Sequence, residues 1–189
     1  MSHAIKLTNV SHAFELNNAR IELFNDINLT TEQGQSYAIT GPSGTGKSSL
    51  LMLASGLEEV TQGTIEYLGE GQCRPINELR AELGFIFQQF HLLPELTALN
   101  NVALPLKLRG DKDAFDKAHS ILKRVGLSHR ESHTPSQLSG GEQQRVAIAR
   151  ALIFKPKFIF ADEPTGNLDP KTADQITEIL FSTCYENNA

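Results

Sequence analysis

The stretch Gly41–Ser48 constrains the fold more than any other part of the chain. Its sequence, GPSGTGKS, fits the phosphate-binding pattern of glycine, four residues, glycine, lysine and a hydroxyl residue. Residues 36–40 before it are short, apolar and β-favouring, so they predict a buried strand, and residues 48–54 after it predict a helix. This strand–loop–helix context favours phosphate binding over the alternative, a chance glycine-rich turn before a lysine.

The residue types of this loop suit a triphosphate. The three loop glycines lack a Cβ atom, so the backbone can curl and direct its N–H groups at phosphate oxygens. The following helix adds the positive end of its dipole. Lys47 supplies a mobile charge for the β- and γ-phosphates, and the Ser48 hydroxyl can bind Mg²⁺. The loop alone does not say which process the phosphate drives.

The composition is that of an ordinary soluble globular protein. The chain has 189 residues, 40% hydrophobic and 21% charged, enough for one domain with a core. Its net charge is −5 and it has no run of Lys or Arg, so we expect no nucleic acid partner. Cys73 and Cys184 are isolated, which favours a reducing, cytoplasmic location. Since no run of about 20 apolar residues is present, any membrane role should depend on a partner.

Alternating apolar and polar residues predict a small antiparallel sheet at the N-terminus. Its strands are expected at residues 4–10, 12–14, 21–24 and 27–30. The first alternates as an edge strand does. A polar turn at Asn17 and Asn18 separates the second strand from the third, and Gln33 and Gly34 form a turn before the strand of the phosphate loop.

The middle of the chain changes from strands to helices. We expect a strand at residues 63–69, a short helix at 76–83, and a buried strand at 84–87 that ends at Gln88. Residues from about 92 to 135 look helical, and we interpret them as a helical insert rather than a separate domain. Within it, Thr97 is a predicted N-cap, and Pro105 should kink or end the first helix. A second helix over 113–125 stops at Gly126 and places on one face Phe115, Ala118, Ile121, Leu122 and Val125.

The last third of the chain carries a capping box and an acidic pair. Ser139 and Glu142 fit the box at the start of a helix that ends before Pro156, with apolar residues at 147, 148, 151 and 152. Residues 157–161 predict a buried strand with Asp162 and Glu163 at its carboxyl end, where ligands bind in open α/β sheets. A last helix should start at Asp169-Pro170 and run to about residue 181.

Asp162 and Glu163 suit metal binding and general base catalysis. Asp162 can hold Mg²⁺, directly or through water, and Glu163 can polarise an attacking water beside the γ-phosphate. An acidic pair at the end of a strand is, by itself, more often a solvated turn. Together with the phosphate loop, it favours the catalytic interpretation.

The segment Leu138–Arg145, LSGGEQQR, resembles the signature motif of the ABC ATPases. Gln88 stands where this family has its Q-loop, Asp162-Glu163 fit its Walker B motif, and Gly166–Asp169 fit its D-loop, all in the family's order. The resemblance therefore covers nearly the whole chain. It implies an α/β fold, the P-loop NTPase fold with a RecA-like core, an N-terminal antiparallel β subdomain and an inserted helical subdomain, in a single domain over residues 1–189.

The resemblance also implies a role for each motif residue. Catalysis is assigned to Glu163, Lys47 and Gln88, and Mg²⁺ binding to Ser48, Gln88 and Asp162. ATP binding is assigned to Phe14, Gly41, Pro42, Ser43, Gly44, Thr45, Gly46, Lys47, Ser48, Ser49 and Asp162. The residues assigned to the ATP of a second copy are Ser139, Gly140, Gly141, Glu142 and Asp169, which implies a head-to-tail homodimer around two ATP molecules. Phe14 stands where the family usually has Tyr, and a core phenylalanine is the alternative to adenine stacking.

Four segments are similar to the ATPases of lipoprotein-releasing and macrolide-efflux transporters, namely residues 87–94, 96–98, 101–106 and 161–169. In that group two ATPase subunits lie under two integral membrane permease subunits, on the cytoplasmic face of the inner membrane. The resemblance therefore implies an ATP-hydrolysing subunit of an export or lipoprotein-release complex, with the permeases docking near Gln88. Asn100 stands where the group more often has Glu. The cargo would be chosen by the membrane subunits.

The family's switch histidine follows the D-loop by one helix and one strand, whereas this sequence stops at Ala189, about where that strand should begin. We therefore expect a chain that is shortened at its C-terminus, retains its nucleotide-binding residues and hydrolyses ATP weakly. Two other functions stay open, a non-transport ABC ATPase and a nucleotide-binding regulator with little hydrolysis. DNA-repair members carry a long coiled coil between Q-loop and signature, for which the roughly 50 residues between Gln88 and Ser139 are too few.

Overall fold

The computed structural model describes residues 3–16 and 19–189, so the predicted turn at Asn17 and Asn18 lies outside the described residues. The chain forms two compact units, one ending at Leu83 and the other beginning at Gly84. In the part of the chain that the structure describes, no helix has the length and apolar character needed to cross a membrane.

The first unit contains a four-stranded antiparallel sheet among its described residues, in the order β2-β1-β3-β4. The strands are β1 (Ala4–Leu16), β2 (Ala19–Glu32), β3 (Gln62–Gly69) and β4 (Gln72–Pro75). The small sheet predicted at the N-terminus is confirmed, but the prediction that its first strand is an edge strand is wrong. β1 pairs with β2 on one side and β3 on the other. Its apolar residues Ile5, Leu7 and Val10 are buried, as suits an interior strand.

β1 and β2 are longer than the short strands predicted for them. Each contains two of the predicted segments, which are joined through irregularities in the β1–β2 pairing. The pairing register shifts between Leu7 and Val10, again before His12, and again after it. Asn9 and Asp26 have left-handed backbones, with φ of 50° and 54°. A bulge adds an unpaired residue and interrupts the two-residue alternation, so a sequence reader sees a strand end where the strand only bends.

Residues 36–40 do not form the buried strand that was predicted. They pair with no described strand, and Tyr37 and Ile39 are 51% and 38% exposed. Apolar alternation favours a strand only where another strand satisfies its N–H and C=O groups, and the described residues provide no such neighbour. The turn at Gln33 and Gly34 is confirmed, since Gly34 has a φ of 78°. The helix after the phosphate loop is also confirmed as α1, Lys47–Ala54, and a 3-10 helix covers Ile76–Glu82.

The second unit packs helices around a short parallel strand pair. The strands β5 (Gly84–Ile86) and β6 (Ile159–Ala161) run parallel. The helices of its described residues are α2 (Ala98–Leu108), α3 (Ala114–Arg124), α4 (Gly140–Leu152) and α5 (Pro170–Asn187), with 3-10 turns at Ser128–Arg130 and Pro135–Gln137. Their apolar faces form one core that includes Val102, Leu122, Ile148, Leu152 and Ile176. The helical content expected for residues 92–135 is therefore present.

Three details of the helical unit differ from the sequence predictions. α2 does not end at Pro105, which was one of the two outcomes predicted there, but continues to Leu108, since its buried residues hold the last turn against the core. Phe115 was expected on the buried face of α3 but is 43% exposed, with the Lys107 ammonium 4.8 Å from its ring centroid. β6 is half-buried rather than buried.

Asn101 on α2 is fully buried and fixes the loop that leads into the helix. Its Oδ1 accepts from the Leu93 N–H at 2.8 Å. Its Nδ2 lies at hydrogen-bond distance from the carbonyl oxygens of Leu93, Leu96 and Thr97, at 3.0, 3.0 and 3.2 Å. The Thr97 hydroxyl caps the same helix by accepting from the Asn100 N–H, as predicted.

We expect Asn101→Ala to lower the free energy of unfolding by about 2–4 kcal/mol, because it leaves buried backbone groups of the loop without partners. Urea unfolding followed by circular dichroism measures the loss. Asn100→Ala is the matched control, since it removes one half-exposed contact, from Nδ2 to the Thr97 hydroxyl at 2.9 Å. The control should lose less than about 1 kcal/mol. Equal losses in the two variants would contradict the role given to Asn101.

Candidate functional site

The phosphate loop enters α1 through a glycine that no other residue could replace without strain. Gly46 is the N-cap of α1, with a left-handed φ of 88°. A Cβ atom there would lie 3.3 Å from the Leu23 Cβ and 3.3 Å from the Phe24 Cδ1 on β2. Gly46 is therefore fixed both by its backbone angle and by the close approach of β2. The sequence showed the first requirement but not the second.

Lys47 is held inside the loop by backbone carbonyls. Its Nζ donates to the Gly41 oxygen at 3.1 Å and to the Pro42 oxygen at 2.8 Å. The Thr45 hydroxyl also donates to the Pro42 oxygen, at 2.9 Å. α1 has no side-chain N-cap and no acidic residue in its first turn. A lysine cation thus lies beside the positive end of a helix, a combination that suits a polyanion such as a nucleotide triphosphate.

The other predicted nucleotide contacts lie in the first unit at accessible positions. Pro42, Ser43, Gly44 and Ser48 are exposed, and Ser49 is half-buried on α1. Phe14 is 42% exposed near the end of β1, where it pairs with Ile21 of β2. It is therefore not a core phenylalanine, and its side chain is partly accessible to solvent.

In the second unit, the parallel strand pair brings Gln88 and Glu163 together from positions 75 residues apart. The Gln88 Nε2 donates to the Glu163 Oε2 at 3.1 Å. Asp162 follows β6 directly, and its N–H donates to the Ile86 oxygen at 2.9 Å. Since both strands run in the same direction, their carboxyl ends meet at one edge, and the three polar side chains are delivered to that edge.

The turn after Glu163 packs closely against Gln88 and Glu163. Glu163 has a φ of 44°, a left-handed value that is strained for a residue with a side chain. The Gly166 N–H donates to the Glu163 carbonyl at 3.0 Å, and the Asn167 Nδ2 donates to the Gln88 carbonyl at 3.3 Å. A Cβ atom on Gly166 would lie 3.1 Å from the Glu163 Oε2. Gly166 and Asn167 thus position the catalytic candidates, a role that the D-loop resemblance did not assign to them.

α4 begins with the capping box predicted from Ser139 and Glu142. The Ser139 hydroxyl accepts from the Glu142 N–H at 3.3 Å, and the Glu142 Oε2 accepts from the Ser139 N–H at 2.8 Å. Gly140 and Gly141 form the first turn of the helix. A Cβ atom on Gly141 would come 2.6 Å from the Thr172 Cγ2 of α5, so the start of α5 packs directly against this turn.

Two carboxylates of this region are engaged within the chain. Asp169 caps α5 by accepting from the Thr172 N–H at 3.1 Å, and hydrogen bonds to Thr172 lower its pKa. The Glu142 Oε1 also accepts a hydrogen bond from the Arg130 Nε at 2.8 Å. The Ser139 N–H and the Arg130 guanidinium lower the pKa of Glu142 to about 2. Arg130 was not found from the sequence, because its partner lies 12 residues away on another element.

The oxygen donors of the second unit fit a hard cation. The Asp162 carboxylate and the Gln88 amide oxygen stand at the carboxyl edge of β5 and β6, and Mg²⁺ prefers oxygen ligands of these kinds. Among the described residues, no group of three or more His, Cys, Asp or Glu is placed to hold a metal ion. Mg²⁺ usually takes several of its oxygen ligands from water and phosphates rather than from the protein.

Comparison with known proteins relates the chain to transport ATPases. The family described as ABC transporter matches residues 24–166. The chain is 45% identical over 187 residues to the lipoprotein-releasing system ATP-binding protein LolD of Geobacter metallireducens, covering 95% of this chain and 83% of that protein. It is 49% identical over 176 residues to LolD of Alcanivorax borkumensis, covering 89% and 77%. A solved dimer of the ATP-binding cassette MJ0796, in a post-hydrolysis state bound to ADP and Pi, matches with a TM-score of 0.85 and 37% identity, covering 97% of this chain and 84% of that chain.

The depressed pKa of Glu142 predicts a pH-dependent loss of stability. A carboxylate whose pKa falls on folding stabilises the native state above its unfolded value, about 4.3, and loses that contribution as the pH falls towards its folded value. We expect Glu142→Gln to cost about 1–2 kcal/mol at pH 7, through the weakened cap and the lost ion pair. The difference from the parent should shrink as the pH is lowered from 5 to 3.

Urea unfolding of both proteins at pH 7, 5, 4 and 3 measures this change. Glu178→Gln, an exposed residue of α5, is the control and should match the parent at each pH. A Glu142→Gln penalty that is the same at pH 7 and pH 3 would show that the Glu142 charge does not contribute.

Proposed function

This chain belongs to the ABC transporter family of ATP-binding proteins, and from that premise we propose how its motifs act together as the ATPase subunit of a lipoprotein-releasing type of transporter. The α/β fold of the ABC ATPases, the family and the ATPase activity expected from the sequence are confirmed. Among the alternatives considered, a non-transport ATPase receives no support, because the relatives described above are named as parts of a lipoprotein-releasing system.

The observation that carries the proposed mechanism is the contact between Gln88 and Glu163. Glu163 lies beside Asp162 at the end of β6, and its carboxylate can accept a proton from water as the water attacks the terminal phosphate. The bond between the β- and γ-phosphates then breaks, and ADP and phosphate are released. The Gln88 amide donates to this carboxylate at 3.1 Å, so it fixes the orientation of the base. Gly166 and Asn167 limit the movement of both residues.

Binding of ATP is assigned to the phosphate loop and its flanks. The loop residues 41–46 direct their N–H groups at the phosphates, Lys47 supplies the cation, and the hydroxyls of Ser48 and Ser49 lie in the first turn of α1. Phe14 stacks on the adenine ring. A Mg²⁺ ion, for which Ser48, Gln88 and Asp162 are the proposed ligands, would offset the negative charge of the phosphates.

The subunit works as a head-to-tail homodimer in this proposal. Ser139, Gly140 and Gly141 at the start of α4, together with Asp169, face the ATP held by the second copy. Glu142 orients this turn through its contacts with Ser139 and Arg130. The solved MJ0796 cassette, described as dimeric with bound ADP and Pi, is the precedent among the similar structures. Integral membrane permeases dock near Gln88, so the protein works at the cytoplasmic face of the membrane without entering it. Closing and opening of the dimer then moves the permeases.

Lys47→Ala should weaken Mg-ATP binding by about 10- to 100-fold, because it removes a charge-assisted contact to the triphosphate. Isothermal titration calorimetry measures the affinity. Lys6→Ala is the matched control, since Lys6 is an exposed lysine of the same unit, on β1. The assignment of Lys47 would be wrong if both variants bound ATP as the parent does.

Glu163→Gln should slow hydrolysis by about 10²- to 10⁴-fold while leaving ATP binding intact, since the amide keeps the shape of the side chain but cannot act as a base. Phosphate release under single-turnover conditions gives the rate, and sedimentation velocity with ATP gives the fraction of dimer. Because ATP is no longer consumed, the variant should accumulate as a dimer in the presence of ATP. Glu178→Gln serves again as the control. A variant that hydrolyses ATP like the parent, or stays monomeric with ATP bound, contradicts the proposal.

A further inference from the structure

A half-buried arginine of α4, Arg150, holds the turn that follows Gln88. The Arg150 Nη1 donates to the His91 carbonyl at 2.5 Å, and its Nη2 donates to the Phe90 carbonyl at 2.8 Å. Burial lowers the pKa of the Arg150 guanidinium, and among the described residues no carboxylate forms an ion pair with it. The two carbonyl groups are thus its observed partners, and they are bound in the two-pronged way that a guanidinium allows.

The turn that Arg150 holds is strained. Phe90 and His91 are consecutive residues with left-handed φ values of 60° and 46°, and neither is a glycine. The Phe90 N–H donates to the Phe87 carbonyl at 3.2 Å, and the His91 N–H donates to the Gln89 carbonyl at 2.6 Å. Such a backbone persists only where surrounding groups hold it. Arg150 supplies two such contacts from outside the turn.

This turn lies next to the catalytic candidates Gln88 and Glu163. Gln88 lies two residues before Phe90 and donates to Glu163 at 3.1 Å, and the Gln88 carbonyl accepts from Asn167 at 3.3 Å. Arg150 lies in the last turn of α4, and Ser139 and Gly140 stand at the other end of this helix of 13 residues. A helix of that length is a rigid rod of roughly 20 Å. α4 therefore connects Ser139 and Gly140 with the turn beside Gln88.

We propose that Arg150 is a positioning residue that ties α4 to the Phe90–His91 turn and so keeps Gln88 in contact with Glu163. This inference rests on the proposed function of the same site. Arg150 touches neither ATP nor the reacting atoms and acts only through Gln88. When the signature end of α4 engages a nucleotide on the second copy, the displacement of the helix reaches Gln88 through the two carbonyl contacts.

A double-mutant cycle with Gln88 tests this role. Arg150→Lys keeps the positive charge but replaces the two-pronged guanidinium with a single ammonium. We expect it to slow single-turnover ATP hydrolysis about tenfold and to change ATP affinity less than about twofold. In a Gln88→Ala background the same substitution should slow hydrolysis by less than about twofold, because the residue through which Arg150 acts is gone. Equal slowing in both backgrounds, or no slowing in either, overturns the proposal.

Arg124→Lys is the matched control, since Arg124 is also a helical arginine of the second unit, paired with Glu186 on the surface. It should leave the rate and the ATP affinity unchanged. Amide hydrogen exchange of residues 88–92 adds a readout that needs no hydrolysis: Arg150→Lys should speed it at least about threefold and Arg124→Lys should not. A parent chain without measurable hydrolysis contradicts the proposed function. Exchange alone then decides the role of Arg150, and unchanged exchange in Arg150→Lys overturns it.

Discussion

The first N–H groups of a helix have no partner within that helix, and this constraint applies to the phosphate loop and to the start of α4 alike. α4 and α5 satisfy theirs with side chains of the protein, Ser139 in one case and Asp169 in the other. α1 instead begins at Gly46, with no side-chain cap and no acid in its first turn. A helix that starts in this way offers its donors to an external anion. α1 therefore lacks the side-chain cap that α4 and α5 have.

Backbone strain marks the candidate catalytic residues of the second unit. Glu163, Phe90 and His91 have left-handed φ values although none is a glycine, which costs of order 1–3 kcal/mol each. Glu163 lies two residues after the end of β6, and Phe90 and His91 lie four and five residues after the end of β5. The contacts from Gly166 and Asn167 on one side and Arg150 on the other offset this cost. The result is a carboxylate and an amide that are fixed relative to each other before any ligand arrives, which is the arrangement that favours acid–base chemistry.

Local features of the chain could be predicted from its sequence, whereas features that depend on distant partners could not. The capping box at Ser139, the N-cap Thr97, the helix start at Asp169-Pro170 and the stop at Gly126 depend on neighbours within a few residues, and the structure confirms them. The interior position of β1 depends on β3, which lies some 50 residues further on, so alternation alone suggested an edge. Residues 36–40 read as a strand because a pattern cannot show whether a neighbouring strand exists. The contacts of Arg130 and Arg150 were missed for the same reason.

Glu142 shows why a motif residue should be assigned only after its partners in the chain are known. The resemblance groups it with the residues that face the ATP of a second copy, and its carboxylate would repel a triphosphate if it pointed there. In the structure both of its oxygens are engaged, one by the Ser139 N–H and the other by Arg130. The carboxylate therefore orients the first turn of α4 rather than contacting the nucleotide. The positive end of the helix, with Gly140 and Gly141, is then the part of the motif whose charge suits a phosphate.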